Sequence, residues 1–135
     1  MSASTVSTVA QFEDPLTSRV PHALGIFRIL VGLMYAMHGT VKMFGLPSGS
    51  PVAFGAWPGW WAAVLEVMLG LLIAAGVLTR VAAFISSGVM AVAYFWKHVP
   101  EGFWPIDNGG ETAALYSFIF LLLVFTGPGA LALRR

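Results

Sequence analysis

Five ionisable residues lie within or at the ends of strongly apolar segments of this chain: Arg28, His38, Lys42, Glu66 and Glu111. A charged side chain in hydrocarbon costs several kcal/mol, about 2.5–3.5 on insertion scales, so such a residue usually has a partner or a function. Only 10% of the 135 residues are charged. These few side chains therefore carry most of the polar chemistry open to the protein.

The spacing along the chain places most of these residues at one end of the molecule. His38 and Lys42 lie one turn apart near the outer end of the first apolar segment, on the same face of a helix. Glu66 lies about two turns inside the second segment, which runs back, so at about 1.5 Å per residue all three share one depth. His98 ends the third segment and Glu111 begins the fourth on that side. The candidate catalytic residues are His38, Lys42, Glu66 and Glu111.

Each member of this predicted cluster also has a purely structural interpretation. Lys42 can extend its ammonium group to the lipid headgroups, and His98 can face water in a loop. Glu111 can be a first-turn acid that the helix dipole favours. Glu66 needs a nearby cation or must be protonated, and an ion pair with no function would satisfy it. Both interpretations stay open at the level of sequence.

Arg28 stands apart from the cluster. It lies roughly 15 Å inward from His38, at a depth that none of the six acidic residues shares. We expect Arg28 to anchor the fold, either by reaching the inner headgroups or by hydrogen bonds to Ser86 and Ser87.

The elements that position these residues follow from composition. Hydrophobic residues make up 58% of the chain and its mean hydropathy is +0.82, whereas soluble domains are about 45–50% apolar. Too few polar residues remain to coat a water-soluble helical core. We therefore predict an all-α fold, a transmembrane four-helix bundle with membrane lipid around it.

Four apolar segments follow a start rich in Ser and Thr. We predict a disordered cytoplasmic tail over residues 1–18 and one transmembrane domain over residues 19–135. The predicted spans are residues 21–44, 59–78, 81–97 and 111–127. A spanning helix needs about 20 apolar residues, so the third and fourth spans are short. A re-entrant pair is the alternative for these two segments.

The distribution of Lys and Arg predicts the orientation. With four spans, both termini share one side, and the basic residues on that side are Arg19, Arg80, Arg134 and Arg135. The other side has Lys42 and Lys97. The sequence therefore predicts a multi-pass protein of the cell membrane with both termini in the cytoplasm.

Small residues recur at helical spacing and predict close helix packing. Gly25, Gly32 and Gly39 repeat at heptad intervals in the first span. A ridge at intervals of four follows in the second span and consists of Ala62, Glu66, Gly70 and Ala74. A third group, Ser86, Ser87 and Gly88, lies in the third span. Membrane helices approach closely where such residues meet.

Several function classes are excluded or disfavoured. A net charge of +1 gives no electrostatic footprint for nucleic acid. The absence of Cys excludes disulfides, iron–sulfur clusters and thiolate metal sites within this chain. Haem held by His38 and His98 is a minor alternative, as is a metal ion held by these histidines and Glu66. We expect neither.

Short motifs in the four segments resemble those of the DoxX family of small four-helix membrane proteins. The motifs of the first helix are Arg28-x-x-x-Gly32 and His38-Gly39-x-x-Lys42-x-Phe44-Gly45. Those of the second helix and its turn are Glu66-x-x-x-Gly70-Leu71-Leu72 and Gly76-x-x-Thr79-Arg80. Those of the third loop are Lys97-His98-x-x-x-Gly102-Phe103-Trp104 and Asn108-Gly109-Gly110-Glu111. The resemblance covers nearly all of the chain after the predicted tail.

The resemblance implies a link to redox chemistry at the membrane. Members of the family are associated with thiosulfate:quinone oxidoreductases and, in actinobacteria, with membrane oxidoreductase complexes that handle oxidative stress. The leading hypothesis is therefore an oxidoreductase subunit that exchanges electrons with quinone. His38 or Lys42 would donate to a quinone oxygen, and Glu66 or Glu111 would carry protons. The residues expected to contact the quinone are His98, Trp104, Phe103 and Trp60.

Two other classes of function remain open. The chain can be a non-catalytic membrane anchor or assembly subunit, with the polar cluster as a docking surface. It can also carry a small molecule or a lipid, for which a chain of this size would need a homo-oligomer. Because the chain has no evident electron cofactor, the oxidoreductase hypothesis requires a partner protein or a soluble reductant.

Overall fold

The structure of the protein is a computed structural model that describes residues 3–134. All secondary structure in this range is helical. The helices are α1 (Ala3–Thr17), α2 (Val20–Phe44), α3 (Gly59–Ala75), α4 (Thr79–Ala93), α5 (Pro105–Asn108) and α6 (Glu111–Thr126). A π-helical turn over Tyr94–His98 and a 3₁₀ turn over Val99–Glu101 continue α4.

The N-terminal segment differs from its prediction. Helix α1 occupies most of the range for which the sequence predicts disorder, while residues 1 and 2 lie outside the described residues. The side chains of α1 that the structure describes are exposed, and the Ser- and Thr-rich sequence of this segment has no long apolar run, which is why the sequence predicts disorder here.

Helices α2 and α3 form an antiparallel pair whose backbones touch. Gly45 ends α2 and Gly76 ends α3, both in the left-handed conformation with φ of 68° and 75°. A Cβ atom on Gly32 would lie 2.6 Å from the Ala74 nitrogen, and one on Gly70 would lie 2.7 Å from the Gly32 carbonyl oxygen. A Cβ on Gly39 would lie 2.6 Å from the Ala63 carbonyl oxygen. The predicted close packing of these two helices is confirmed.

Helices α4 and α6 form the second pair, joined by polar contacts. The Ser87 hydroxyl donates to the Ser117 carbonyl at 2.8 Å, and the Ser117 hydroxyl returns a bond to the Ser87 carbonyl at 3.0 Å. Ser86 is buried, whereas a Cβ on Gly88 would meet nothing within 4 Å. The predicted group of three small residues is therefore not one contact surface. Only Ser86 and Ser87 face neighbouring helices.

The outside of the helices is as apolar as the inside. The core contains Tyr35, Ile73, Phe120 and Leu123, while large apolar side chains stay exposed along the same helices. Examples of the exposed set are Leu30, Met34, Phe84, Phe118 and Leu122. Soluble monomers rarely expose contiguous apolar surface of this kind. Two helical stretches, Val20–Phe44 and Thr79–Glu101, are long and apolar enough to cross a membrane.

The helix lengths modify the predicted spans. The third predicted span is longer than the sequence indicates, because α4 and its two turns make 23 continuous residues. Helix α3 has 17 residues and α6 has 16, so these two are the short apolar helices of the bundle.

The C-terminal segment closes the end of the bundle where α3 ends and α4 begins. The Ala130 amide donates to the Pro21 carbonyl at 2.8 Å, and the Leu133 amide donates to the Ala75 carbonyl at 3.0 Å. Residues 127–134 therefore lie across the start of α2 and the end of α3. We call this region the closed end. Arg135, one of the basic residues behind the predicted orientation, lies outside the described residues.

Candidate functional site

A buried ion pair joins α2 to α3. Lys42 Nζ lies 2.7 Å from Glu66 Oε1, where the Lys42 side chain is 33% exposed and the Glu66 side chain is 1% exposed. Lys42 is in the last turn of α2 and Glu66 is in the middle of α3. The depth argument predicts this contact, and the structure confirms it. The ion pair therefore extends from the partly exposed Lys42 ammonium group to the buried Glu66 carboxylate.

The second oxygen of the Glu66 carboxylate has no partner. Glu66 Oε2, Tyr35 Oη and Ser86 Oγ are all buried and make no hydrogen bond of good geometry to any described residue, although the Tyr35 and Ser86 hydroxyls lie close to each other. Buried polar atoms are almost always paired, so each exception requires an explanation such as an ordered water molecule, a bound ligand or a catalytic role. The three residues come from three different helices, α3, α2 and α4. We call Glu66, Tyr35 and Ser86 the unpaired cluster.

An aromatic wall lies beside the unpaired cluster. The Tyr35 ring is 5.5 Å from that of Tyr116 and 4.7 Å from that of Phe120, centroid to centroid. The carboxylate of Glu66 is close enough to interact electrostatically with both tyrosine hydroxyls. Neither tyrosine is among the residues that the sequence predicts for a site. A tyrosine within an apolar helix resembles any other core aromatic, and only the fold shows where its hydroxyl lies.

Tyr116 connects the buried cluster to an open groove. The groove has a volume of about 290 Å³, and its lining includes Met34, Met37, His38, Val41 and Tyr116. The His38 ring meets the Tyr116 ring edge-on, with centroids 5.5 Å apart. His38 is exposed on α2. Among the described residues, it makes no hydrogen bond to Lys42 or Glu66, so the predicted three-member network is reduced to a pair with His38 near its edge.

The other predicted site residues lie elsewhere. Glu111 is exposed in the first turn of α6, the position that its structural interpretation gives it. Trp60 packs against Phe54 and Trp61 at the start of α3. Phe103 and Trp104 are exposed in the third loop. In the part of the chain that the structure describes, no hydrogen bond or ring contact joins these residues to Glu66.

His98 belongs to a separate polar cluster organised by Asn108. Its Nδ1 donates to the Asn108 carbonyl at 3.2 Å, and the Asn108 side chain donates to the Gly102 carbonyl at 2.7 Å. The Tyr94 hydroxyl donates to the Phe103 carbonyl. Asn108 is buried, and these bonds hold the loop between α4 and α6 in shape. Across residues 3–134, no three His, Asp or Glu side chains meet in a way that could hold a metal ion.

Arg28 is a second buried charge, and its partners differ from those that the sequence predicts. Its guanidinium donates five hydrogen bonds, all to backbone carbonyls. The acceptors are Ile73 at 2.8 Å, Ala74 at 2.6 Å, Pro128 at 2.7 Å, Ala130 at 3.1 Å and Leu131 at 2.9 Å. The prediction that Arg28 bonds to Ser86 and Ser87 is wrong. The expected anchoring role is confirmed, because Arg28 ties α2 to the end of α3 and to the C-terminal segment.

Comparison with known proteins gives the family. A sequence model of DoxX matches residues 23–99, which is more than half of the chain. The chain belongs to the DoxX family. An uncharacterized protein of Haemophilus influenzae is 45% identical to this DoxX protein over 119 residues, which cover 84% of this chain and 89% of that protein. No solved structure matches. The matched region contains Arg28, Lys42 and Glu66, and the family is membrane-associated, in agreement with the two long apolar helices.

Proposed function

We propose that this DoxX protein is an integral membrane subunit of a quinone-linked oxidoreductase complex. The observation that carries the proposal is the buried Glu66 carboxylate, one oxygen of which has no hydrogen bond. This carboxylate interacts electrostatically with Tyr116, which lines an apolar groove. Buried ionisable groups with specific partners, beside an apolar concavity, are typical of functional sites.

The groove fits the chemistry of a quinone head group. Its lining is mainly apolar, as an apolar ring requires, and the lining residues His38, Ser48 and Tyr116 supply hydrogen-bonding groups. Bound there, a quinone supplies two-electron, two-proton redox chemistry, with electrons from a partner protein or a soluble reductant.

Each residue of the proposed site has a role that follows from its position. His38 and the Tyr116 hydroxyl orient the carbonyl oxygens and donate to them as negative charge develops. Glu66 holds or releases a proton behind Tyr116, and Lys42 keeps the carboxylate charge partly compensated. The hydroxyl oxygens of Tyr35 and Ser86 are further groups in the core that can accept this proton. The proposed site is therefore narrower than the sequence predicts, and it omits Glu111, His98, Trp60, Phe103 and Trp104.

Retention of quinone during purification tests this proposal. The protein is extracted with its native lipids, and the quinone content per chain is measured by chromatography and mass analysis. Wild type should retain quinone. His38→Ala, which removes a donor, and Met34→Trp, which fills the groove, should both lose it, whereas His22→Ala in the first turn of α2 should not. Equal quinone content in all four proteins, or none in wild type, would contradict the proposal.

The same preparation discriminates the alternative that the chain is a membrane anchor or assembly subunit. One observation favours that alternative: Phe103, Trp104 and Ile106 are exposed together in the third loop. A partner that co-purifies in stoichiometric amount, without quinone, would support it.

We further propose that the chain is a multi-pass protein of the cell membrane, with four spanning helices and cytoplasmic termini. The exposed apolar side chains on all four long helices support four spans. Helices α3 and α6 are about 25 Å long, so the bilayer, whose core is about 30 Å thick, thins locally around them. Arg19, Arg80 and Arg134 lie at the closed end, which supports its cytoplasmic location.

Cysteine labelling in intact cells tests the orientation, since the chain has no Cys of its own. An impermeant maleimide should react with Ser48→Cys in the exposed loop after α2, and not with Ser2→Cys. The opposite pattern would reverse the proposed topology.

A further inference from the structure

A second cleft lies at the closed end, far along α3 from Glu66. It has a volume of about 260 Å³ and forms where the α3–α4 turn meets the C-terminal segment. Its lining residues are Leu78, Thr79, Arg80, Val81, Pro128 and Arg134. The proposed quinone site uses none of them. The cleft therefore requires its own explanation.

Two guanidinium groups with free donors line this cleft. Arg80 uses Nη1 to bond the Val124 and Phe125 carbonyls at the end of α6, at 2.7 and 2.9 Å. Its Nη2 and Nε make no hydrogen bond to the described residues. Arg134 makes no side-chain hydrogen bond or ion pair within residues 3–134, and no acidic residue lines the cleft. Arginine presents five N–H donors that match phosphate and carboxylate geometry, so the cleft favours an anion.

The start of α4 adds further donors. Helix α4 begins at Thr79 without a side-chain cap, because Leu78 occupies the cap position. The first amides of an uncapped helix lack intrahelical acceptors and carry the positive end of the helix dipole. Such a terminus binds phosphate readily, although many helix termini are simply hydrated.

Thr79 gives independent evidence for a ligand. Its side chain is only 4% exposed, yet its Oγ1 has no partner in the described part of the chain. A buried hydroxyl without a hydrogen bond is costly. Thr79 is the first residue of α4 and lines the cleft next to Arg80, so an oxygen-rich anion in the cleft would pair this hydroxyl as well as the two arginines.

The geometry points to a binding site for the phosphate of an anionic phospholipid headgroup. The apolar rim distinguishes a lipid from a free anion, because Leu78 and Val81 line the cleft and are exposed, and Phe84 continues an exposed apolar face along α4. The arginines, the Thr79 hydroxyl and the helix terminus hold the phosphate, while the acyl chains lie along this face. In the proposed topology the lipid belongs to the cytoplasmic leaflet.

Lipid titration monitored by native mass spectrometry tests the site on the full chain in detergent. Dioleoylphosphatidylglycerol and dioleoylphosphatidylcholine have the same acyl chains and differ in headgroup charge. Wild type should bind the anionic lipid more tightly. Arg134→Gln and Thr79→Val should each weaken that binding, Arg134→Gln by about tenfold, as expected from loss of one charge-assisted hydrogen bond. Binding of the zwitterionic lipid should not change in either variant.

The control is Arg19→Gln, which removes an exposed positive charge at the same end without touching the cleft. It should keep wild-type affinity for phosphatidylglycerol. Equal binding of the two lipids by wild type, or an equal loss in Arg19→Gln and Arg134→Gln, would overturn the proposal. Inorganic phosphate that raises the melting temperature as much as phosphatidylglycerol would overturn the assignment to a lipid. Failure of the quinone experiment would leave this result intact, because the two sites share no residue.

Discussion

Arg28 and Glu66 are both buried charged residues, but they differ in how completely their hydrogen-bonding groups are paired. The Arg28 guanidinium has five carbonyl acceptors at the closed end. The Glu66 carboxylate has one ionic partner on one oxygen, and its other oxygen lies unpaired near two buried hydroxyls that are also unpaired. Every hydrogen bond that the Arg28 guanidinium can donate has an acceptor, whereas the region around Glu66 contains buried oxygen atoms without a partner.

The difference follows from the position of each residue relative to the end of α3, where backbone carbonyls are free to accept hydrogen bonds. The Ile73 and Ala74 carbonyls lie in the last turn of α3, at the negative end of the helix dipole, and the C-terminal segment supplies three more carbonyls, so Arg28 is paired without any acidic side chain. Glu66 lies within α3, where the backbone amides already bond to one another. It depends entirely on side chains, and the sequence supplies only Lys42. The Arg28 region therefore maintains the fold, and we propose that the Glu66 region takes a ligand or a proton.

The largest effect should come from Arg28→Met. This change removes all five hydrogen bonds of the guanidinium to backbone carbonyls, and each buried carbonyl left without a donor costs about 1–3 kcal/mol. We expect little folded protein, measured as the monodisperse fraction in size-exclusion chromatography. Arg28→Lys, which keeps the charge but has fewer donors, should give an intermediate yield. A wild-type yield of Arg28→Met would show that the closed end is not structural.

The next largest effect should come from the glycine contact that holds α2 against α3 between the two regions. Gly32→Ala places a Cβ atom 2.6 Å from a backbone nitrogen, and overpacking of this kind costs about 1–3 kcal/mol. The matched control is Gly88→Ala, where the added Cβ meets nothing within 4 Å. The melting temperature should fall for Gly32→Ala and stay level or rise for Gly88→Ala. Equal behaviour of the two variants would mean that the helices separate easily.

Glu66→Gln should have a smaller effect on stability than either change above. It removes the ionic partner of Lys42, but the partly exposed Lys42 can turn to solvent, so the expected loss is about 1–2 kcal/mol. Glu66→Gln combined with Lys42→Met should recover part of this loss. Chemical denaturation of the single and double variants measures the recovery. Full additivity of the two changes would show that the ion pair contributes nothing.

The smallest effect on stability should come from the unpaired cluster. Tyr35→Phe removes a buried hydroxyl without a partner, so stability should stay within about 1 kcal/mol of wild type or increase. Tyr94→Phe is the matched control, since its hydroxyl bonds the Phe103 carbonyl and accepts from Asn108 at 3.2 Å. The melting temperature should fall only for Tyr94→Phe. A larger loss for Tyr35→Phe would show that its hydroxyl is paired.

Part of this arrangement is predictable from the sequence. Helical rise brings Lys42 and Glu66 to one depth, and the spacing of Gly32 and Gly70 predicts where the backbones meet. The acceptors of Arg28 are not predictable, because they are backbone carbonyls of a turn and a C-terminal segment whose path depends on the whole fold. Tyr35 is not predicted, and Ser86 is predicted only as a partner of Arg28 and as a packing residue, because an apolar helix tolerates both residues at any position.

Some residues that the sequence predicts to lie together are separated in the fold. His98 and Glu111 share a predicted depth with Glu66, but depth fixes only one of three coordinates. Rotation about the helix axes and the path of the third loop determine the other two. Asn108, which organises that loop, has no periodic signal that would reveal its role.

Redox difference infrared spectroscopy on the quinone-loaded protein tests the central claim most directly. A protonated carboxyl group has a C=O stretching band that is distinct from the bands of a carboxylate. If Glu66 exchanges a proton when the quinone changes redox state, the wild-type difference spectrum contains this carboxyl band. The band should persist in Glu111→Gln, which removes an exposed carboxylate outside the proposed site, and disappear in Glu66→Gln. Persistence of the band in Glu66→Gln, or its absence from wild type, would contradict the account.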